Sequence, residues 1–291
     1  MKVIRSLHEM TEVATEEKAR GHTIGFVPTM GYLHEGHARL IDECREEADV
    51  VIVSIFVNPL QFGPGEDFER YPRDEKRDSR IAENHGVDYL FLPAVEEMYP
   101  GNPSVSVHVL NRTSILCGKS RPGHFDGVVT VLAKLFHITK ADMAYFGLKD
   151  AQQIAVVKGM VDDLNYPVMI RPVPTIREDD GLAKSSRNVY LTETERIEAS
   201  QLIRSLQAGQ QLIIDGEKNP ANILNEVKKY IKKHTNGSID YVELWSYPAL
   251  KEVTTIDQPV IIAIAVNFSN ARLIDNLILN HYGEMVTNPF Q

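Results

Sequence analysis

Two histidines, His34 and His37, stand three residues apart in PTMGYLHEGH, between a short apolar run and a helix-compatible stretch. Residues three apart on a helical turn point the same way, so we expect the two imidazole rings side by side. A helix that begins just after a strand offers backbone N–H groups to phosphates, and Gly31 and Gly36 allow the backbone to approach a ligand closely. The segment predicts a polyphosphate site. The alternative to a phosphate site is a pair of surface histidines without a ligand. A zinc site would need a third ligand, and no residue nearby in the sequence supplies one.

A second polar segment, NPLQFGPG, follows the continuous apolar run Val50–Val57. Asn58 and Gln61 stand where polar side chains would line a pocket at the end of a strand. The alternative is an ordinary Asn-Pro turn that leads into a glycine- and proline-rich loop. The stretch as far as Arg73 could also form a mobile lid over a site.

Two further segments carry cations. In FGLKDAQQ, Lys149 follows a strand-like run, where a lysine point charge suits a phosphate; Asp150 and Gln153 equally fit helix capping. In LAKSSRN, two hydroxyls lie between Lys184 and Arg187, an anion-binding composition for which a solvated loop is the alternative. A basic, glycine-rich segment, CGKSRPGHF, carries a weaker indication of the same kind.

The elements that must position these segments alternate between strand-like and helix-like runs as far as about residue 176. Such alternation predicts an α/β fold, a Rossmann-like doubly wound parallel sheet with helices on both faces. After residue 176 a capping box, Thr192 with Glu195, begins a helix predicted to reach about Asp215. A second helix and three β-rich runs follow. We therefore predict a domain over 1–176 and a smaller α+β domain over 177–291, with the boundary within about ten residues of 176.

Composition excludes several classes of protein. The 291 residues are 43% hydrophobic and 24% charged, with a net charge of −9, which are ordinary globular values. An acidic chain disfavours broad binding to nucleic acid or to anionic membranes. The longest apolar run, Val260–Val266, is too short for a bilayer, and the charged N-terminal stretch lacks a signal-peptide core. Cys44 and Cys117 form no CxxC pair, so we expect a reducing, cytoplasmic setting.

Five motifs, in this order and at these spacings, resemble those of the pantoate–β-alanine ligases (pantothenate synthetases): PTMGYLHEGH, FVNPLQFG, RPGHFDGV, FGLKDAQQ and LAKSSRNVYL. The resemblance covers nearly the whole chain and includes RLIDN at Arg272–Asn276. That family is similar to class I aminoacyl-tRNA synthetases and nucleotidyltransferases, whose HIGH-like and KMSKS-like motifs correspond to His34–His37 and Lys184–Arg187. This chain has Lys184 where many relatives have methionine.

The resemblance implies roles for particular residues. His37 is the residue usually assigned as general acid, and His34, Lys149 and Arg187 join it as the expected catalytic groups. Gln61 and Gln153 are expected to hold pantoate, with Asn58 beside Gln61. The expected ATP-binding residues are Met30, Gly31, Tyr32, Leu33, His34, Glu35, Gly36, His37, Gly147, Leu148, Lys149, Asp150, Ile176, Lys184, Ser185, Ser186 and Arg187.

The implied reaction condenses (R)-pantoate with β-alanine, using ATP and Mg²⁺, through a pantoyl adenylate that releases pyrophosphate and then AMP. It requires no protein nucleophile, so catalysis would be alignment and charge stabilisation. The resemblance also implies a cytoplasmic homodimer, and no metal-ligating residue is assigned. The alternative enzyme is a nucleotidyltransferase that acts on a phosphate-bearing acceptor. The alternative without catalysis is a nucleotide- or tRNA-binding module, which the acidic charge disfavours.

Overall fold

The computed structural model describes residues 1–290, which divide into two compact units. The first unit comprises Met1–Thr113, Arg121–Gly147 and Val156–Val173. The second comprises Ser114–Ser120, Leu148–Ala155 and the chain from Pro174 onward. The chain therefore passes between the units more than once, and the predicted domain boundary at residue 176 stays a prediction.

The first unit is built on one parallel sheet. Its strands are β1 (Lys2–Ile4), β2 (Ile24–Thr29), β3 (Val50–Ile55), β4 (Tyr89–Phe91), β5 (Met143–Gly147) and β6 (Met169–Val173). They lie in the order β1-β4-β3-β2-β5-β6, and every pairing is parallel. The predicted Rossmann-like fold is confirmed. The order reverses between β2 and β5, and in such sheets ligands bind outside the carboxyl ends of the strands at that reversal.

Ten α-helices lie within the described residues. They are α1 (Leu7–Ala19), α2 (Glu35–Glu47), α3 (Glu75–Asn84), α4 (Val95–Met98), α5 (Leu116–Ser120), α6 (His124–Thr139), α7 (Ala151–Asp163), α8 (Glu193–Ala199), α9 (Gln201–Ile214) and α10 (Pro220–His234). None of the helices in residues 1–290 combines the length and the apolar run that a membrane crossing requires.

Close packing of α2 on β2 places the histidine segment. A methyl group on Gly25 of β2 would lie 2.2 Å from the Cys44 sulfur of α2, so only a glycine allows the helix to approach this strand so closely. The neighbouring strand β3 is buried from Val50 to Ser54, as its largely β-branched sequence predicted. The short N-terminal elements β1 and α1 carry weak sequence signals and were not predicted.

The second unit contains a small antiparallel sheet of β7 (Ser238–Ser246), β8 (Val260–Asn267) and β9 (Arg272–Leu279), in that order. Its buried core joins this sheet to α9 and α10 through aliphatic side chains, among them Leu202, Leu206, Ile223, Val227, Ile262, Ile264 and Leu277. The capping box of Thr192 and Glu195 is present, but the single helix predicted from it is two helices. The break falls at Ser200, whose hydroxyl donates to the carbonyl of Ile197.

Candidate active site

The His34–His37 pair lies at the N-terminus of α2. His34 is the N-cap residue, and its Nδ1 accepts a hydrogen bond from the backbone N–H of Gly36 at 3.1 Å. His37 returns the bond, since its Nδ1 accepts from the backbone N–H of His34 at 3.3 Å. The ring centroids are 4.1 Å apart, so the two imidazoles lie side by side, as their spacing predicted. This is a capping box built from two histidines.

The capping bonds also decide which ring nitrogen carries the proton. A neutral imidazole that accepts a hydrogen bond at Nδ1 is protonated at Nε2. Both His34 and His37 accept at Nδ1. Each ring therefore presents an N–H donor at Nε2, beside a helix end that already favours anions. The two histidines can therefore cap the helix through Nδ1 and bind an anion through Nε2 at the same time.

A buried carboxylate shapes the turn that precedes the histidines. Gly31 and Tyr32 have φ angles of 86° and 50°, a left-handed conformation that a tyrosine rarely adopts. Asp78 of α3 holds the turn, because its two carboxylate oxygens accept from the backbone N–H groups of Tyr32 and Leu33, both at 2.7 Å. Burial raises the pKa of Asp78, and these two backbone hydrogen bonds partly offset that rise.

Asp78 was not among the predicted site residues, although its spacing carries a signal. It lies four residues before Ala82, and these two are the buried positions of the otherwise charged helix α3. An acidic residue on the buried face of such a helix needs hydrogen-bond donors, because burying an unpaired carboxylate is costly. The sequence indicates that Asp78 requires partners but not which ones.

Met30, Asn58 and Gln61 are brought together at the end of β3. The Gln61 side chain accepts from Asn58 Nδ2 at 3.1 Å and approaches the Met30 sulfur with Nε2 at 3.2 Å. Asn58 also donates to the carbonyl of Gly127 at 3.0 Å and accepts from Leu60 N–H and the Tyr99 hydroxyl. These bonds use both donors and both lone pairs of Asn58, which places it as support for Gln61. Its contact with substrate stays a prediction.

The basic segment before α6 supports the backbone of Gln61. Arg121 donates to the Gln61 carbonyl at 3.2 Å, and His124 Nδ1 lies 2.8 Å from the same oxygen. Arg121 also pairs with Glu66 through two hydrogen bonds. Burial alone would raise the pKa of Glu66, but its hydrogen bond to Arg121 and the charge of that guanidinium lower it overall. From sequence alone this segment carries only a weak indication of anion binding, and its partners in the structure explain its composition.

In the second unit, Lys149 and the Lys184–Arg187 segment share a small cavity. Lys149, Ser185 and Asn188 are among the residues that line a space of about 10 Å³. Ser185 caps the short turn Ser186–Tyr190 by accepting from the Arg187 N–H at 3.3 Å. The Asn188 Oδ1 atom is buried and accepts no hydrogen bond among residues 1–290. Two separate motifs of the sequence therefore meet within this unit.

The remaining predicted residues of the second unit have identifiable positions. Lys184 forms an ion pair with Glu178 at 2.7 Å, and its backbone N–H donates to the carbonyl of Ile176 at 2.9 Å. Gln153 lies in the first turn of α7 and is partly exposed. Its neighbour Gln152 is buried and donates to the carbonyl of Ile115.

Within residues 1–290, no three His, Cys, Asp or Glu side chains are grouped closely enough to hold a metal ion. Both cysteines are buried and unpaired with each other. Burial raises the pKa of Cys44 to about 12, so this thiol stays protonated near neutral pH.

Comparison with known proteins identifies the family. The family model described as pantoate-beta-alanine ligase matches residues 2–278. A pantothenate synthetase of Bacillus cytotoxicus is 59% identical over 279 residues, which are 96% of this chain and 99% of that protein. A pantothenate synthetase of Bacillus mycoides is 57% identical over the same length and the same shares of the two chains.

Solved structures agree in sequence and fold. The crystal structure of pantothenate synthetase from Thermus thermophilus has a TM-score of 0.90 and 43% identity, and covers 95% of this chain and 99% of its own. A second crystal structure is that of the pantoate-beta-alanine ligase from Francisella tularensis, complexed with beta-gamma ATP and beta-alanine. It has a TM-score of 0.78 and 33% identity, and covers 96% of this chain and 97% of its own. Because the family model and these relatives match nearly the whole chain, it belongs to the pantoate–β-alanine ligase family.

Proposed function

We propose that the protein condenses (R)-pantoate with β-alanine to form pantothenate, using ATP and passing through a pantoyl adenylate. Family membership supports the reaction. The structural observation that carries the proposal is the histidine capping box, which presents two Nε2–H donors at the N-terminus of α2, immediately after β2. Such an arrangement suits a nucleoside triphosphate, whose negative charge it can neutralise.

The ATP-binding residues stay those predicted from the motifs. We propose that residues 30–37, 147–150 and 184–187 bind ATP, and that Ile176 contacts the adenine through its backbone. His34, His37, Lys149 and Arg187 would stabilise the charge that develops as pyrophosphate leaves, with His37 as the general acid. The Nε2–H tautomer of His37 fits the charge-stabilising part of this role, because its N–H donor lies on the ring edge away from the capping bond. Proton donation would require the imidazolium form of the ring.

In the first half-reaction, the pantoate carboxylate attacks the α-phosphorus of ATP, a P–O bond forms, and the bond to pyrophosphate breaks. Gln61 and Gln153 would hold pantoate for this attack. The rigid support of Gln61 by Asn58 and by Arg121 is consistent with a group that must hold its ligand accurately. Correct alignment of the reacting atoms lowers the barrier without any covalent bond to the protein.

In the second half-reaction, the β-alanine amine attacks the acyl carbon of the adenylate. A C–N bond forms, AMP leaves with the electron pair of the C–O bond, and the amine releases a proton. No protein nucleophile takes part, and the protonated, buried Cys44 thiol is unsuited to that role. The AMP leaving group is far better than hydroxide, which is what activation of the carboxylate achieves.

We propose that Mg²⁺ enters with ATP as part of the substrate. The described residues offer no group of acidic or imidazole side chains that could hold the ion themselves. Mg²⁺ commonly keeps several waters and binds through substrate phosphates, so phosphate oxygens and water would hold it here. It would neutralise phosphate charge alongside the histidines.

We also propose that the protein is a cytoplasmic homodimer. Val105 and Leu110 are 77% and 90% exposed, and the segment between them forms no strand with the rest of residues 1–290. Exposed aliphatic side chains on such a segment fit burial against a second copy of the chain.

Light scattering of the protein in solution should give twice the mass of one chain. A mass equal to one chain across micromolar concentrations would contradict the dimer.

Pyrophosphate exchange tests the proposed reaction. An acyl-adenylate mechanism makes pyrophosphate release reversible before the amine binds. Labelled pyrophosphate should therefore enter ATP when Mg²⁺ and pantoate are present and β-alanine is absent. Leaving out pantoate should abolish the exchange, and adding β-alanine should yield pantothenate and AMP in equal amounts.

Two results would overturn the assignment: exchange that does not depend on pantoate, or ADP in place of AMP. A nucleotidyltransferase would require a phosphate-bearing acceptor for the exchange, and a binding module would catalyse none. The same assay therefore separates the ligase from both alternatives.

A glutamine at position 37 should separate the capping role from the chemical one. Glutamine at the third position of a capping box accepts the same backbone hydrogen bond, so His37→Gln should keep the stability of α2. It removes the imidazole, so we expect kcat to fall about 10²- to 10³-fold. His37→Ala should show the same loss of activity and also lose about 0.5–1.5 kcal/mol of the free energy of unfolding, the usual net contribution of one hydrogen bond. Initial rates and urea denaturation measure the two effects.

His34→Asn is the matched variant at the N-cap, because asparagine is among the preferred N-cap residues. It should likewise retain stability and lose turnover. Near-normal turnover in His37→Gln would show that the reaction requires nothing of this side chain beyond the cap and an N–H donor, which an amide also supplies, and would contradict a role for His37 as general acid.

A further inference from the structure

Two consecutive polar residues, Asp275 and Asn276, interrupt the buried strand β9. They are only 4% and 8% exposed, and the strand around them is aliphatic from Leu273 to Leu279. Successive residues of a strand point to opposite faces, so the two side chains can reach different segments. A buried ion pair often stabilises the folded protein no more than apolar residues of similar volume would, so stability alone does not explain polar residues at these positions.

Asn276 binds the backbone of the segment that carries Lys149. Its Nδ2 donates to the carbonyl of Leu148 at 3.0 Å and to that of Lys149 at 2.9 Å. These two bonds use both hydrogens of the amide. The position of the Lys149 backbone, and hence the starting point of its side chain, is tied to β9.

Asp275 binds the loop that carries Ile176 and Lys184. Its two oxygens accept from Arg177 Nη1 and Nη2 at 2.7 and 2.9 Å, a bidentate ion pair. Arg177 begins a tight hairpin in which it bridges to Ala183. The hairpin is closed by the bond from Lys184 N–H to the Ile176 carbonyl. The ion pair therefore holds the hairpin against the sheet.

The two loops face each other across the small cavity described above. Lys149, Ser185 and Asp275 are all among its lining residues. Within β9, Asn276 thus holds the Lys149 loop, and the preceding residue, Asp275, holds the Ile176–Lys184 hairpin. The spacing between the proposed phosphate-binding groups of this unit depends on that pair.

We infer that Asp275 and Asn276 are positioning residues for ATP, which set the distance between the Lys149 loop and the Ile176–Lys184 hairpin. The inference rests on the proposed function, since it assigns these loops to ATP. Neither residue needs to touch the nucleotide. Asn276 acts through Lys149, and Asp275 acts through Arg177.

Asp275→Asn and Asn276→Leu test the two positions. Both substitutions keep the approximate volume of the side chain. Asp275→Asn removes the charge and one of the two oxygens that accept from Arg177, and Asn276→Leu removes both amide donors. We expect Asp275→Asn to raise the KM for ATP about tenfold and to leave the KM for pantoate unchanged. We expect Asn276→Leu to slow pantoate-dependent pyrophosphate exchange about 10- to 100-fold. These magnitudes are typical for the loss of a supporting contact. Melting temperatures are measured for every variant.

A double variant distinguishes positioning from general structural support. If Asn276 acts through Lys149, then Lys149→Ala combined with Asn276→Leu should be no slower than Lys149→Ala alone. Asp240→Asn is the matched control for Asp275→Asn, because Asp240 pairs with Arg272 on the same sheet and contacts neither loop. Asn280→Leu is the control for Asn276→Leu, because Asn280 bonds Glu284 beyond the end of β9. Both controls should behave as the wild type.

If Asp275→Asn does not fold, Arg177→Lys keeps both charges, loses the bidentate geometry, and should raise the KM for ATP in the same way. The inference is overturned if folded variants show wild-type KM values and exchange rates, or if the effects of Lys149→Ala and Asn276→Leu multiply. The wild-type enzyme tests the proposed function separately. Exchange in the wild type with unaffected variants refutes only the inference, whereas no pantoate-dependent exchange in the wild type refutes the proposed function.

Discussion

The N-terminus of a helix leaves backbone N–H groups without partners inside the helix, and α2 meets that constraint with two imidazole rings. His34 and His37 each accept a hydrogen bond at Nδ1 from a backbone N–H, which fixes both rings and leaves the proton on Nε2. A serine or aspartate cap would satisfy the same helix but could not present N–H donors. The capping requirement and the proposed phosphate chemistry therefore select the same side chains.

The other site segments are likewise held by buried polar side chains on neighbouring elements. Asp78 fixes the turn before His34, Asn58 fixes Gln61, and Asn276 fixes the Lys149 loop. Each supporting group satisfies backbone or side-chain partners that would otherwise be costly to bury. Catalysis by alignment depends on such support, because small displacements of the reacting groups reduce the rate steeply.

Much of this arrangement could be predicted from local sequence. The β-branched run of β3, the Thr192 capping box and the HxxH spacing each depend on neighbours a few residues away. The supporting contacts could not be predicted, because Leu33 and Asp78 are 45 positions apart and Leu148 and Asn276 are 128 apart. The break at Ser200 was also missed, since a helical pattern continues on both sides of it. Periodicity indicates which residues are buried but not which distant partner each one meets.

The central claim is that both histidines cap α2 through Nδ1 and offer Nε2–H to a phosphate. Long-range ¹H–¹⁵N NMR correlation of histidine-labelled protein, with His34→Asn and His37→Gln for assignment, reads the tautomer of each ring directly. At a pH where the rings are neutral, the account predicts that both carry the proton on Nε2. Addition of a non-hydrolysable ATP analogue with Mg²⁺ should then shift the Nε2 resonances more than the Nδ1 resonances. A proton on Nδ1 of either ring, or Nε2 resonances that do not respond to the nucleotide, would contradict it.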